Sequence, residues 1–373
     1  MPFLNGQFKQ IIFSMILTFA MSNISIAKDK KAQEGEDPDI NSEEEVSEYI
    51  DHHLNDSHYF IFFSDHKKGE NDYYGFPLPV IIWDDGLHVF SSSKFHHGEE
   101  LVEINGQHYK LYHSKIYKTD AEGTIDYDKD GFVANEKPLD FSITKNVVSM
   151  FLAGLLLFLM FSSLAKSYKK NYIPQKMGRI LEPLVIYVRD EIAKPNIGPK
   201  YRKYMGFLLT VFFFIWLLNL LGMTPLGINV TGNISVTFTL ATATFLVTQF
   251  SGNKDYWKHI FWMPGVPIPM KIALIPIEII GMFTKPFALM IRLFANLTAG
   301  HIVIMSLLSL IVIARNWIAG PAFFGFAIMI SVIELLVAFL QAYIFTLLSA
   351  LYIGMAVEEH HEEENKTEEV PVV

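Results

Sequence analysis

Two apolar stretches near the C-terminus constrain this chain more than any other feature. One runs from Ile272 to Ala314, the other from Pro321 to Val357. About twenty apolar residues suffice for a helix to cross roughly 30 Å of hydrocarbon, and each stretch is far longer. Both must tilt, bend or break to stay within a bilayer. Three shorter stretches precede them, at Val147 to Ala165, Met205 to Leu226 and Ile234 to Phe250. Backbone polar groups in lipid must be satisfied within the segment, which leaves helices as the spanning element. The expected fold is an all-α polytopic membrane protein. It has about five membrane-embedded helical segments, the last two long and tilted as a hairpin.

Composition agrees. The 373 residues are 51% hydrophobic, and the charged 18% crowd into the first 140 residues, the loop after residue 165 and the last 16 residues. The net charge of -9 therefore belongs to the ends. No basic cluster is interleaved with aromatic platforms, which argues against nucleic acid as a partner. There is no cysteine, so disulfides, thiolate chemistry and cysteine-held metals are excluded. The pairs His52-His53, His96-His97 and His360-His361 are isolated on polar segments and make poor metal sites. No glycine-rich phosphate loop is present, so the chain itself is not expected to bind ATP or any cofactor.

The N-terminus reads as a signal peptide over residues 1–27, with Lys9, the apolar Ile11 to Ala20, and Ser25-Ile26-Ala27 at the cleavage point; an uncleaved anchor is the alternative. Residues 28–140 then form an extracytoplasmic extension. Its first part is acidic. From Tyr59 onward it carries short aromatic and β-branched runs, such as Val80 to Trp83 and His108 to Tyr112, separated by Asp84-Asp85-Gly86 and Asn105-Gly106 turn signals. That pattern predicts strands. Residues 141–357 form the membrane domain and 358–373 an acidic tail. The run of Lys166, Lys169, Lys170, Lys176, Arg179, Arg189, Lys194, Lys200, Arg202 and Lys203 reads as a basic loop, which the positive-inside rule places in the cytoplasm. The N-terminus is then outside and the C-terminus inside, in a bacterial inner membrane.

Ionisable residues within the long stretches are the candidate site, because a central arginine costs about 2.5–3.5 kcal/mol in a bilayer. Glu278, Lys285 and Arg292 are seven apart and share one helix stripe, which Asn296 extends. Pro276 and Pro286 are expected to bend that helix. On the second stretch, Glu334 and Gln341 are also seven apart. An antiparallel hairpin sets Gln341 level with Arg292 and Glu334 level with His301. Nine residues turn His301 roughly 180° from Arg292, so it serves a different cavity. Histidine and a buried glutamate can exchange protons near neutral pH. Arginine cannot, so it acts as a fixed positive barrier.

The run Arg292-Leu293-Phe294-Ala295-Asn296-Leu297-Thr298-Ala299-Gly300-His301 closely resembles the signature of subunit a of F-type ATP synthases. So does Glu334 through Leu348, and the Leu218-Asn219-Leu220 and Ile234-Ser235-Val236-Thr237 segments resemble that family's earlier helices. The resemblance covers about residues 140–360. It implies a non-catalytic stator subunit that couples proton flow to ATP synthesis through two offset half-channels. Its implied partners are the ring of c subunits, the b subunits of the peripheral stalk, other ATP synthase subunits and the lipid bilayer. It implies that Arg292 faces the ring carboxylates, with Asn296 and Gln341 as polar neighbours. His301 and Glu334 belong to the external half-channel, and Glu278 and Lys285 to the cytoplasmic exit. A secondary ion transporter or a membrane-anchored receptor remain the alternatives. The extension before the first span departs from the family pattern.

Overall fold

The computed structural model describes residues 55–67, 70–129, 131–170, 178–224, 228–263, 267–314 and 319–358. The signal-peptide reading, Lys176, Arg315, the acidic tail beyond Glu358 and the His52-His53 and His360-His361 pairs lie outside them.

The extension is β-structured. Its strands are β1 (Tyr59–Lys67), β2 (Glu70–Pro77), β3 (Pro79–Trp83), β4 (Leu87–Ser91), β5 (Val102–Ile104), β6 (Gln107–Tyr112), β7 (Lys115–Thr119) and β8 (Leu139–Asp140). They form an antiparallel pair β1-β2 and two three-stranded antiparallel sheets ordered β4-β3-β8 and β5-β6-β7. Asn105 and Gly106 both have positive φ, 53° and 83°, as the tight β5–β6 turn demands. Tyr59, Val80, Ile82, Phe95, Tyr109 and Ile116 fill the core.

The extension runs into the membrane domain without a linker. Phe141 and Ile143 donate to the Ile81 and Pro79 carbonyls, and Lys145 to that of Ser57. Asp56 caps the first helix, accepting from the Asn146 amide at 3.0 Å and the Thr144 hydroxyl at 2.8 Å. Burial pushes the Asp56 carboxyl above the usual range, and those donors work against it. Phe60 and Leu78 share a core with Val147 and Met150 of that helix.

The helices are α1 (Lys145–Lys170), α2 (Gly178–Tyr187), α3 (Lys194–Ile197), α4 (Tyr201–Gly222), α5 (Ile234–Ser251), α6 (Lys254–Phe261), α7 (Ile268–Ala314) and α8 (Ala319–Val357). Among the described residues, five helical stretches are long and apolar enough to cross a membrane. α7 and α8, with 47 and 39 residues, run about 70 and 58 Å and pair as the long hairpin. α7 continues unbroken through Pro276 and Pro286.

One expectation changes. The basic loop is largely helical: α2, a π-turn (Val188–Ala193) and α3 lead into α4, so the second apolar stretch begins at Gly178. Leu181, Val188, Ile192 and Ile197 are buried along it, while Asp190 pairs with Arg189 and Lys194 at 2.8 and 2.6 Å. The count of basic residues hid an amphipathic period. The described part of the segment between α4 and α5 packs inward: Ile228, Asn229, Val230 and Thr231 are buried.

Small residues let α8 approach its neighbours. A Cβ on Gly354 would overlap the Asn196 carbonyl oxygen of α3. Gly354→Ala is expected to destabilise the membrane domain by about 1–3 kcal/mol, the usual cost of overpacking. The check is the temperature at which the chain dissociates from its purified complex; an unchanged temperature would discount this contact.

Candidate ion-translocation site

The α7/α8 hairpin brings the site together in a definite register. The Asn296 side-chain amide donates to the Gln341 oxygen at 2.8 Å. Gly300 lies against Glu334, whose Oε1 is 2.7 Å from where a Cβ would stand. The Lys285 ammonium sits 5.4 Å from the centre of the Tyr352 ring. Gln341 thus bonds Asn296, one helical turn beyond Arg292, while the seat of Glu334 on Gly300 in an antiparallel pair sets Gln341 level with Leu293, beside the arginine.

Arg292 stands apart from these contacts. It is on the exposed side of α7, with Ile291, Ala288, Ala295, Asn296 and Ala299 also exposed around it. Leu289, Leu293 and Leu297 face inward on the opposite side. Arg292 makes no hydrogen bond or ion pair among the described residues.

On the His301 side, polar atoms collect at the junction of α4, α7 and α8. His301 Nε2 is 3.4 Å from where a Cβ on Gly222 of α4 would stand, so His301 points away from the Arg292 face. Glu334 is 7% exposed. Asn219 of α4 donates to the Ala338 carbonyl at 3.3 Å and accepts from the Thr231 hydroxyl at 2.9 Å. His301 Nε2, Glu334 Oε1, Thr298 Oγ1 and Asn229 Oδ1 are buried and have no hydrogen-bond partner among the described residues. His301 and Glu334 occupy the same level without bonding each other.

On the Glu278 side, a crevice is lined by Thr244, Thr248, Gln249, Tyr256, Lys285 and Tyr352. Gln249 and the Tyr256 hydroxyl approach within 3.3 Å. Burial raises the Tyr256 hydroxyl above its ordinary value, and the nearby Glu278 carboxylate adds to that. Sequence reasoning missed Thr244, Thr248, Gln249, Tyr256 and Tyr352 here, and Thr231 and Asn229 on the other side. The spacing Thr237, Thr244, Thr248 on α5 was a legible stripe of small polar residues.

Residues 147–354 match the sequence model of the family described as ATP synthase A chain. The chain belongs to that family. Residues 49–141 match a second family, described only as a domain of unknown function. "ATP synthase subunit a" of Chloroherpeton thalassium is 50% identical over 234 residues, 60% of this chain and 70% of the relative. "ATP synthase subunit a" of Pelodictyon phaeoclathratiforme is 44% identical over 277 residues, 72% and 80% of the two chains. "ATP synthase subunit a 2" of Prosthecochloris aestuarii is 48% identical over 305 residues, 77% and 93% of the two chains. As a member of the ATP synthase A chain family, the chain is a multi-pass, proton-translocating membrane subunit of the ATP synthase complex and not a catalyst by itself. The secondary-transporter and receptor readings are not favoured by this membership.

Proposed function

We propose that the chain passes protons along two offset half-paths that meet, on either side of Arg292, the carboxylates of a rotating ring of c subunits. One observation carries this reading: Arg292 stands unpaired on the exposed face of a membrane helix, between two polar clusters on the same hairpin. A lone arginine facing lipid is costly, so its partner must come from another chain. A ring carboxylate supplies that partner. The alanines around Arg292 allow a second helix to come close.

A proton enters from outside through the cluster of His301, Glu334, Asn219 and Thr231. Buried polar atoms without protein partners are groups that water or a passing proton satisfies. The proton moves onto a ring carboxylate and makes it neutral, so the site can rotate into lipid. A returning carboxylic acid loses its proton to the crevice at Lys285, Tyr352 and Glu278. Arg292 holds the resulting carboxylate and keeps protons from crossing directly, since its guanidinium does not deprotonate. Asn296 and Gln341 hold each other beside it. In this reading the Glu278 end of the bundle is cytoplasmic, the membrane is a bacterial inner membrane, and b subunits of the peripheral stalk restrain the chain against rotation.

Extraction in mild detergent tests the assignment. A ring of small hydrophobic subunits and stalk subunits should purify with this chain; purification of the chain alone would remove the reading. A second test uses Gly300→Ala, where the new methyl displaces Glu334 from its seat. ATP-driven pumping is expected to fall several-fold in an assembled complex, and an unaltered rate would show that the position of Glu334 is unimportant.

A further inference from the structure

We propose that the outward face of α6, with the start of α7, binds the headgroups of anionic phospholipids at this end of the bundle. The proposal does not depend on the route of the protons.

α6 is short and two-sided. Its inner side is fixed to the membrane domain. Ile260 is buried, Tyr256 meets Gln249, and Asn253 donates its backbone and side-chain N–H groups to the Ala356 and Val357 carbonyls at 2.9 Å each. The outer side exposes Lys254, Lys258 and His259 together with Phe261 and Trp262. Trp257 stacks on Phe261 at 6.0 Å, and the Lys271 ammonium lies 4.5 Å from the centre of the Trp262 ring. No carboxylate pairs with Lys254, Lys258 or Lys271 among the described residues.

Two arguments select a lipid surface over another occupant. The patch is continuous with exposed apolar side chains of the membrane domain. Phe250 is 87% exposed beside it, and Ile268, Met270 and Ile272 are exposed on the following turn. Half-exposed indole and phenyl rings next to unpaired ammonium groups are the composition of the headgroup layer: rings at the boundary, lysine stems along it, charges toward phosphate. Three uncompensated lysines, with Asp255 as the one carboxylate on α6, then favour anionic over zwitterionic headgroups. A lysine held near such a surface is worth up to roughly five-fold in preference.

The test uses the whole complex, reconstituted with traces of photoactivatable phosphatidylglycerol or photoactivatable phosphatidylcholine in a phosphatidylcholine bilayer. Phosphatidylglycerol should label the segment from Lys254 to Lys271 several-fold more than phosphatidylcholine does. Raising the salt concentration should shrink that preference, as screening requires. The variant K254Q/K258Q/K271Q should abolish it, while Trp262→Ala should lower labelling by both lipids. Equal labelling by the two lipids in the unaltered complex would overturn the proposal. So would a preference indifferent to salt or retained in the lysine variant.

Discussion

Replacing Arg292 with alanine is expected to leave the complex assembled and to reduce ATP-driven proton pumping to background. Arg292 makes no hydrogen bond or ion pair among the described residues, so its loss leaves no partner there unpaired. The effect falls on the ring. Without the guanidinium, a ring carboxylate passing Arg292 has no counter-ion, and nothing forces its proton off on the Lys285 side. A desolvated carboxylate–arginine pair differs from a protonated carboxylic acid beside alanine by several kcal/mol. Each 1.4 kcal/mol is tenfold in an equilibrium, so a loss of at least about a hundredfold in coupled rate follows. Acidification of inverted vesicles on adding ATP measures it. Passive proton leak through vesicles stripped of the catalytic head should persist or rise, because the fixed positive barrier is gone. Arg292→Lys keeps a charge but lacks the planar fork and can lose its proton, so it should restore little. Coupled pumping near the normal rate in Arg292→Ala would remove the core of the mechanism.

Glu334→Gln is expected to produce the second-largest loss. Glutamine has nearly the same shape and fits the same seat against Gly300, so packing of α7 on α8 should survive. What disappears is a group able to take up and release a proton, whose buried Oε1 has no hydrogen-bond partner among the described residues. Losing a positioned proton donor and acceptor typically costs on the order of a hundredfold or more. The loss should appear in both ATP-driven pumping and passive flow, which separates it from Arg292→Ala, where only coupling collapses. Normal passive flow in Glu334→Gln would place the entry path elsewhere.

Much of this architecture was legible because membrane helices state themselves in length and polarity. The hairpin α7/α8 followed from two apolar runs too long for one crossing. Arg292, Glu334, His301 and Gln341 followed from the cost of polar groups in lipid. The strands of the extension showed as aromatic runs between Asp-Gly and Asn-Gly turns. The failures have equally physical causes. The segment before α4 was read as a basic loop because lysines and arginines dominate it, but Leu181, Val188 and Ile192 recur at helical spacing and are buried against the bundle. The residues at the Glu278 end were missed because Thr244, Thr248, Gln249 and Tyr256 carry no charge, and their convergence depends on how α5, α6 and α8 pack. Asn219 was visible only as part of a family resemblance; its bonds to Ala338 and Thr231 are tertiary.

The central claim, that the exposed Arg292 face of α7 abuts the ring, is tested most directly by cysteine cross-linking. The chain has no native cysteine, so single substitutions report without background. Cysteines at Ala288, Ala295 and Ala299 share the exposed face with Arg292, and cysteines at Leu289, Leu293 and Leu297 occupy the buried one. Each is paired with a cysteine placed near the carboxylate of the ring subunit, and the assembled complex is oxidised in native membranes. The account predicts disulfides to the ring from positions 288, 295 and 299 and none from 289, 293 and 297. Cross-links from the buried set, or none from the exposed set in an intact complex, would contradict it.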